Sequence, residues 1–488
     1  MIILWIVLGM VCVLTAVCAV CAVKAGPGAV PAEQIYQCDQ ERLDSYARKF
    51  GDLIRIETLS QPDEPDADLS AFRRYQEKVD ELFPLVHAKL EKTERNGVLL
   101  YRWKGENPSA KPILFMGHQD VVPASPEGWS HGPFSGDYEN GILWGRGTVD
   151  DKCNLFTQLS AAEELLEEGF TPGQDIWFQY SINEEPSGPG AAHSVQYLKE
   201  QGIRFDFVMD EGGAVLEHPL KGVVDRPLAA VGVTEKGYAN IRFTSRGHGG
   251  HAATPGPVTN VTNLCAFVTD VNRHNPFKRK LTPECRQMIE ALSPAVPFYL
   301  RFFTANLWLF GGLLVKILAS KGGQVGAIFG TTCAFTMMQG SDAENVMPAA
   351  PYVIANIRIG FCEKLQDSIE ALRKVADRYH LDMEVYSARE ASPVTPADTE
   401  QFRYLASVIR KVYPDAAVIP YVMTGGTDCR HFAELSENCW RFFPGRLTVQ
   451  QMGSCHGIDE NIAIDAAAQA VDFYKTFIRG YHAEADAD

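Results

Sequence analysis

Acidic pairs and histidines in this chain fall where apolar runs end. Ile113–Met116 is followed by Gly117, His118, Gln119 and Asp120. Gly145–Val149 leads into Asp150 and Asp151, and Asp175–Ile182 leads through Asn183 into Glu184 and Glu185. Phe205–Met209 leads into Asp210 and Glu211, and His456 arrives near the C-terminal end. The candidate metal ligands are His118, Asp150, Glu185, Asp210 and His456. None is a cysteine, and imidazole with carboxylate suits zinc, with cobalt and manganese as alternatives. Three carboxylates and two histidines exceed what one tetrahedral zinc takes. They suit two ions roughly 3.5–4 Å apart that share a carboxylate, activate a water and polarise a carbonyl. Glu184, beside a ligand, is then placed to take the proton of the attacking water. Asp120, two residues after His118, is placed to orient its imidazole. Each signal is weak alone, because His-x-Asp triplets and acidic pairs are commonly incidental. Their recurrence after apolar runs carries the argument.

The elements that must position these groups follow from periodicity. Helical spacing covers Gln34–Glu57, Asp66–Lys92, Asn154–Glu168 and Ala191–Glu200. Strand patterns cover Asn96–Lys104, Ile113–Met116, Asp175–Ile182 and Phe205–Met209. Strands alternating with helices imply a largely parallel sheet covered on both faces, with sites beyond the carboxyl ends of its strands. The pattern changes after Val231. Tyr238–Thr244, Tyr352–Ile359 and Leu381–Tyr386 read as strands, and Thr259–Asn272 and Gln366–His380 as helices. This is a two-layer α+β unit inserted into an α/β domain, which resumes at Asp398–Arg479. The expected organisation is an N-terminal anchor or signal segment over 1–25 and a catalytic domain over 32–231 and 391–482. An inserted lid or dimerisation domain spans 232–390.

The chain has 488 residues, 46% of them hydrophobic and 22% charged, and a formal charge of -16. The length favours two domains. The acidic balance supplies no basic field for nucleic acid. Twelve scattered cysteines form no zinc-ribbon or disulfide framework. Met1–Val23 carries no charged side chain and is long enough to cross a bilayer. It lacks the basic start and short apolar core of a cleaved signal, so it reads as an uncleaved anchor of an extracytoplasmic enzyme. If it is cleaved, the enzyme is secreted. Gly26–Pro31 reads as a breaker-rich linker. Within the insertion, Phe302–Val315 is apolar but short for a span. It reads as a buried helix or, more sharply, as an interfacial helix beside an entrance for acyl chains.

Several longer stretches resemble one family. GHQDVVP at Gly117–Pro123, GRGTVDDK at Gly145–Lys152, NEEPSG at Asn183–Gly188 and MDEGG at Met209–Gly213 are similar to the co-catalytic zinc metallopeptidases. That family includes aminoacylase, carboxypeptidase G and succinyl-diaminopimelate desuccinylase. HAATP at His251–Pro255, ENVMPA at Glu344–Ala349, GGTDCRHF at Gly425–Phe432 and CHGIDENI at Cys455–Ile462 extend the likeness over most of the chain. The N-terminal segment and the long insertion resemble the branch of yeast Gly-Xaa carboxypeptidase and the animal N-acyl-amino-acid synthase/hydrolase. The resemblance implies a zinc-exopeptidase fold with two zinc ions per subunit. His118 and Asp210 would hold one, Glu185 and His456 the other, with Asp150 bridging across a cis Asp150–Asp151 peptide. Glu184 would be the general base and acid, supported by Asp120. His251 would stabilise the oxyanion, often across a homodimer. Asn345, Arg358 and Arg430 would bind substrate, a small peptide or N-acyl amino acid with a free carboxylate. A reversible N-fatty-acyl-amino-acid synthase/hydrolase is one alternative. A non-catalytic binding protein on the same fold is another, which predicts a missing ligand or base.

Overall fold

The computed structural model describes residues 1–26, 36–60, 67–224 and 226–482. The predicted linker beyond Gly26 and the predicted helix starts at Gln34 and Asp66 lie outside them. A ten-stranded sheet organises the larger unit. At its centre Ile176–Ser181, Ile113–His118, Phe207–Asp210 and Cys439–Arg441 lie side by side and parallel. Val98–Trp103 flanks them antiparallel on one side. On the other side Leu228–Glu235 pairs antiparallel with Cys439–Arg441 and parallel with Ala417–Met423. Every residue of Ile113–His118 and Ile176–Ser181 is buried, as expected of strands covered on both faces.

One face is covered by the helices Gln40–Ile54, Lys152–Glu167 and Ile464–Gly480, the other by Gly190–Glu200. Lys152–Glu167 is buried around almost its whole circumference. Its Phe156 ring stacks on Phe50 at 4.7 Å and meets the edge of Tyr46 at 5.5 Å. The helical pattern over Asp66–Lys92 resolves into Ser70–Leu82 and Pro84–Lys89. The break falls at Pro84, which has no N–H and whose ring clashes with the preceding turn.

The second unit is a four-stranded antiparallel sheet ordered Thr332–Gln339, Tyr352–Ile359, Gly237–Ser245 and Leu381–Arg389. Ala239, Ile241 and Phe243 point inward and pack with residues of the helices Asn260–Arg273 and Leu365–Arg378. The chain changes sheets at Lys236, between Leu228–Glu235 and Gly237–Ser245. The boundary expected at 231/232 therefore falls inside a strand. Leu228–Glu235 is buried on both faces, and alternation starts only after it. The insertion forms the helices Pro283–Leu292, Phe298–Thr304, Leu307–Ser320 and Gly323–Ala327. They stand apart from the core of the four-stranded sheet. Cys285, Leu307, Val315 and Ala319 pack instead with Val422 of the large sheet.

Phe156 has no exposed surface. Phe156→Ala is expected to destabilise the protein by about 3–5 kcal/mol, read as a lowered midpoint of denaturant unfolding.

Candidate metal centre

Each candidate ligand reaches the centre from a different element. His118 ends its strand, and Gly117 before it leaves room for Asp151. A Cβ on Gly117 would stand 2.7 Å from Asp151 Oδ2. The same carboxylate oxygen accepts the His118 backbone N–H at 3.2 Å. Asp150 precedes the buried helix, and the Asp150–Asp151 peptide is cis. Glu460 shapes that approach. Its Oε1 accepts the backbone N–H groups of Gly147, Val149 and Asp150 at 3.0, 2.8 and 3.1 Å, and its Oε2 takes Arg146 Nη1. His456 follows the helix Val449–Ser454 in the left-handed region, at φ 60°.

Asp150 stands between the two histidines. Its Oδ1 is 3.1 Å from His118 Nε2, and its Oδ2 is 3.0 Å from His456 Nε2. Glu185 Oε2 lies 2.9 Å from His456 Nε2. Glu211 Oε1 lies 3.6 Å from His118 Nε2. Potential ligand atoms of His118, Asp150 and Glu185 lie within 4.8 Å of one another, as do those of His118, Asp151 and Glu211. Cys455 Sγ donates to Asp150 Oδ2 at 2.9 Å. His118 is 1% exposed and the His456 side chain 54% exposed, so the centre opens on the His456 side.

The sequence reading placed Asp210 in this set. The structure turns its carboxylate to the backbone: Oδ2 accepts Cys429 N–H at 2.8 Å and Oδ1 accepts Glu211 N–H at 2.9 Å. Glu211, one residue on, faces His118 instead. Asp210 is the last residue of its strand, and Glu211 lies beyond the strand's end.

Asp120 is fully buried and serves two partners. Its carbonyl oxygen accepts from His118 Nδ1 at 2.9 Å. Its carboxylate accepts Glu184 N–H and Glu185 N–H, each at 3.2 Å, and the Ser60 hydroxyl at 2.6 Å. Glu184 faces the cluster with Oε1 3.9 Å from Arg430 Nη1. Arg358 lies on Tyr352–Ile359, with its guanidinium 6.0 Å from the Tyr238 ring. His251 and Asn345 are neighbours on the second unit, joined by Ala252 N–H donating to the Asn345 carbonyl at 3.0 Å. Both are exposed, and no described hydrogen bond or ion pair links either to the metal centre.

The electrostatics are those of crowded acids. Burial, then the charges of Asp428 and Glu211, pushes the Glu184 carboxyl well above its usual range. Burial and the Glu211 charge do the same to Asp151, and burial and the Asp150 charge to Glu211. Asp150 goes the other way: burial opposes its charge, but hydrogen bonds from His118 and His456 hold it well below the usual range. His456 is held near 10 by hydrogen bonds to Asp150 and Glu185. Glu185 Oε1 is buried with no hydrogen-bond partner among the described residues. Buried carboxylates outnumbering their cations, with one orphaned oxygen, fit divalent metal.

A model described as Peptidase family M20/M25/M40 matches residues 114–480. The chain belongs to that family. It is 33% identical over 441 residues to probable carboxypeptidase S-like 2 of Dictyostelium discoideum, covering 89% of this chain and 84% of the relative. It is 32% identical over 434 residues to N-fatty-acyl-amino acid synthase/hydrolase PM20D1 of Xenopus tropicalis, covering 87% and 84%. Its fold resembles the M20 family metallo-carboxypeptidase Sso-CP2 of Sulfolobus solfataricus. That likeness has a TM-score of 0.65 at 17% identity and covers 89% of this chain and 98% of that one. The M20 chain is a metal-dependent hydrolase.

Two residues escaped the sequence reading. Glu211 was within reach, since it is the second member of an acidic pair like Asp150-Asp151 and Glu184-Glu185. Arg389 had no signal. Its guanidinium lies 5.0 Å from the Tyr238 ring, and its Nε and Nη1 are buried without hydrogen-bond partners among the described residues. Burial and the charge of Arg430 lower its pKa.

This geometry separates two neighbours experimentally. Glu211→Gln is expected to lose bound metal on dialysis against a weak chelator. Asp210→Asn keeps one acceptor oxygen but sets its amide NH2 against the other backbone donor, and is expected to weaken affinity by about 10–100-fold without abolishing it. Metal analysis of the dialysed proteins reads both.

Proposed function

We propose that this M20 enzyme hydrolyses the amide of a small peptide or N-acyl amino acid whose amine half carries a free carboxylate. The observation that carries the reading is Asp150 set between His118 and His456, with Glu184 beside them. In this reading His118 and Glu211 hold one zinc, His456 and Glu185 the other, and Asp150 is shared. Bound there, the ions would lower the pKa of water and polarise the scissile carbonyl.

The remaining work belongs to side chains. Glu184 accepts the proton of the attacking water and delivers it to the departing amine. Its burial favours holding that proton between the two steps. Asp120 fixes the tautomer of His118 through its carbonyl and the position of both glutamates through its carboxylate. Arg430, with Arg358 and the unpartnered donors of Arg389, supplies guanidinium groups for the free carboxylate. His251 and Asn345 lie together on the second unit. The reading brings them, with His251 as the oxyanion donor, to the site of a second copy in a homodimer. Reversal towards synthesis of N-fatty-acyl amino acids is the second reading, favoured by the apolar helices Phe298–Thr304 and Leu307–Ser320. The helix Ile2–Lys24 is read as a retained anchor, because Cys18 and Ala22 in its last turns are buried against the folded body.

Glu184→Gln is expected to lower turnover by about 10²–10⁴-fold while retaining metal. The assay compares dipeptides with fatty-acyl amino acids, with and without chelator. Turnover at the wild-type rate in that variant, or hydrolysis indifferent to chelator, contradicts the assignment.

A further inference from the structure

The helix Leu307–Ser320 is apolar on both sides. Leu307, Gly311, Val315 and Ala319 form the side buried against the body. On the opposite side Leu309, Leu313 and Ile317 are 39, 51 and 45% exposed, and Trp308 at the helix start is 59% exposed. A helix hydrophobic all round belongs inside protein or lipid, yet half of this one is covered by neither. The preceding helix, Phe298–Thr304, adds exposed Phe298, Tyr299 and Phe303. The two helices meet through Phe303 and Phe310, whose rings are 5.0 Å apart, and exposed apolar groups on such a pair are of the kind that marks an interaction site.

The place where the two helices meet says what covers that surface. They join at 103° through Asn306, which is fully buried. Its Nδ2 donates to the Cys18 carbonyl at 3.0 Å and to the Phe302 carbonyl at 2.8 Å, and its Oδ1 accepts from Trp308 Nε1 at 3.2 Å. Cys18 and Ala22 are the buried residues of Ile2–Lys24, whose other large apolar side chains are exposed. At 23 residues that helix is about 34 Å long, enough for a bilayer core of about 30 Å. The bent pair thus abuts the end of the anchor from which the folded body emerges. Leu307–Ser320, at 14 residues, is only about 21 Å long and cannot cross.

We infer that the bent pair Phe298–Ser320 is a second membrane contact, lying in the lipid interface beside the anchor and seating the body on the bilayer. The inference rests on Ile2–Lys24 being retained in the membrane. Its residue chemistry fits an interfacial helix. Trp308 and Tyr299 present rings suited to the headgroup level. Lys316, exposed beside Ile317, can run its stem along the apolar face and keep its ammonium in water.

The test uses the full chain in phosphatidylcholine vesicles, with and without bromine on the acyl chains near the headgroup. Trp5→Phe and Trp308→Phe variants assign the emission of Trp5 and Trp308 by difference from wild type. The inference expects bromolipid to quench both components. Quenching of Trp5 with undiminished Trp308 emission overturns it and leaves the anchor standing. A Trp308 component that is blue-shifted but unquenched identifies a second copy of the chain as the cover, and also overturns it. If neither component is quenched, the anchor reading fails and this inference fails with it.

Discussion

Everything in the larger unit serves to keep like charges together. Asp120, Asp150, Asp151, Glu184, Glu185, Asp210 and Glu211 converge where three parallel strands end, largely shielded from water. Carboxylates left in such a place neutralise or repel unless each has a hydrogen-bond donor or a cation. The chain supplies donors selectively. Asp120 and Asp210 receive backbone N–H groups. Asp150 receives two imidazoles, while Glu185 Oε1 receives no donor among the described residues. Asp120 and Asp210, bonded to backbone N–H groups, are held as scaffold. Those left short of donors face inward as a set, where divalent metal is the partner with enough charge.

The strand ends were legible in the sequence because period and chemistry coincide there. A buried parallel strand must be a continuous apolar run, and a polar group at its end has nowhere to go but the site. That logic located His118, Glu184, Glu185 and the Asp210-Glu211 pair. It could not choose within the last pair. The choice depends on Cys429 N–H lying 2.8 Å from Asp210, a contact 219 residues away in sequence. The split at Pro84 was written in the chain, since proline forbids the continuing bond. The domain boundary was misplaced for a different reason. Leu228–Glu235 is apolar because it is buried in the larger sheet, and nothing local distinguishes that from a strand of the next unit.

Arg389 marks where local reading ends altogether. An arginine closing an exposed-looking strand is unremarkable in sequence. Only the fold carries it beside Tyr238 and near Arg430, with two donors sealed from water and unmatched among the described residues. His251 and Asn345 are the converse. Their motifs stood out in the chain, yet within one chain they occupy an exposed two-stranded ribbon of the second unit. A motif reports chemistry that residues can do, and a single folded chain need not gather all of it.

Glu235 links the two units to the Glu184 end of the site. It closes the strand that enters the second unit at Lys236, and its carboxylate is fully committed. Arg441 Nε donates to it at 2.7 Å, and the backbone and hydroxyl of Thr427 donate at 2.9 Å each. Burial opposes its charge, but Arg441 beside it keeps its pKa below the usual value. Thr427 begins the turn that carries Asp428, Cys429 and Arg430. That turn places one donor on Asp210 and the guanidinium of Arg430 within 3.9 Å of Glu184. The returning strand Leu381–Arg389 ends close by, and a Cβ on Gly426 would collide with the Arg389 guanidinium. Glu235, bonded to the Thr427 backbone and hydroxyl, therefore ties the entry to the four-stranded sheet to the turn that carries Arg430. Arg430, which faces Glu184, is thus positioned by the joint between the units, whereas His118 is carried by the end of a sheet strand and Asp150 by the Glu460-bonded approach to a helix.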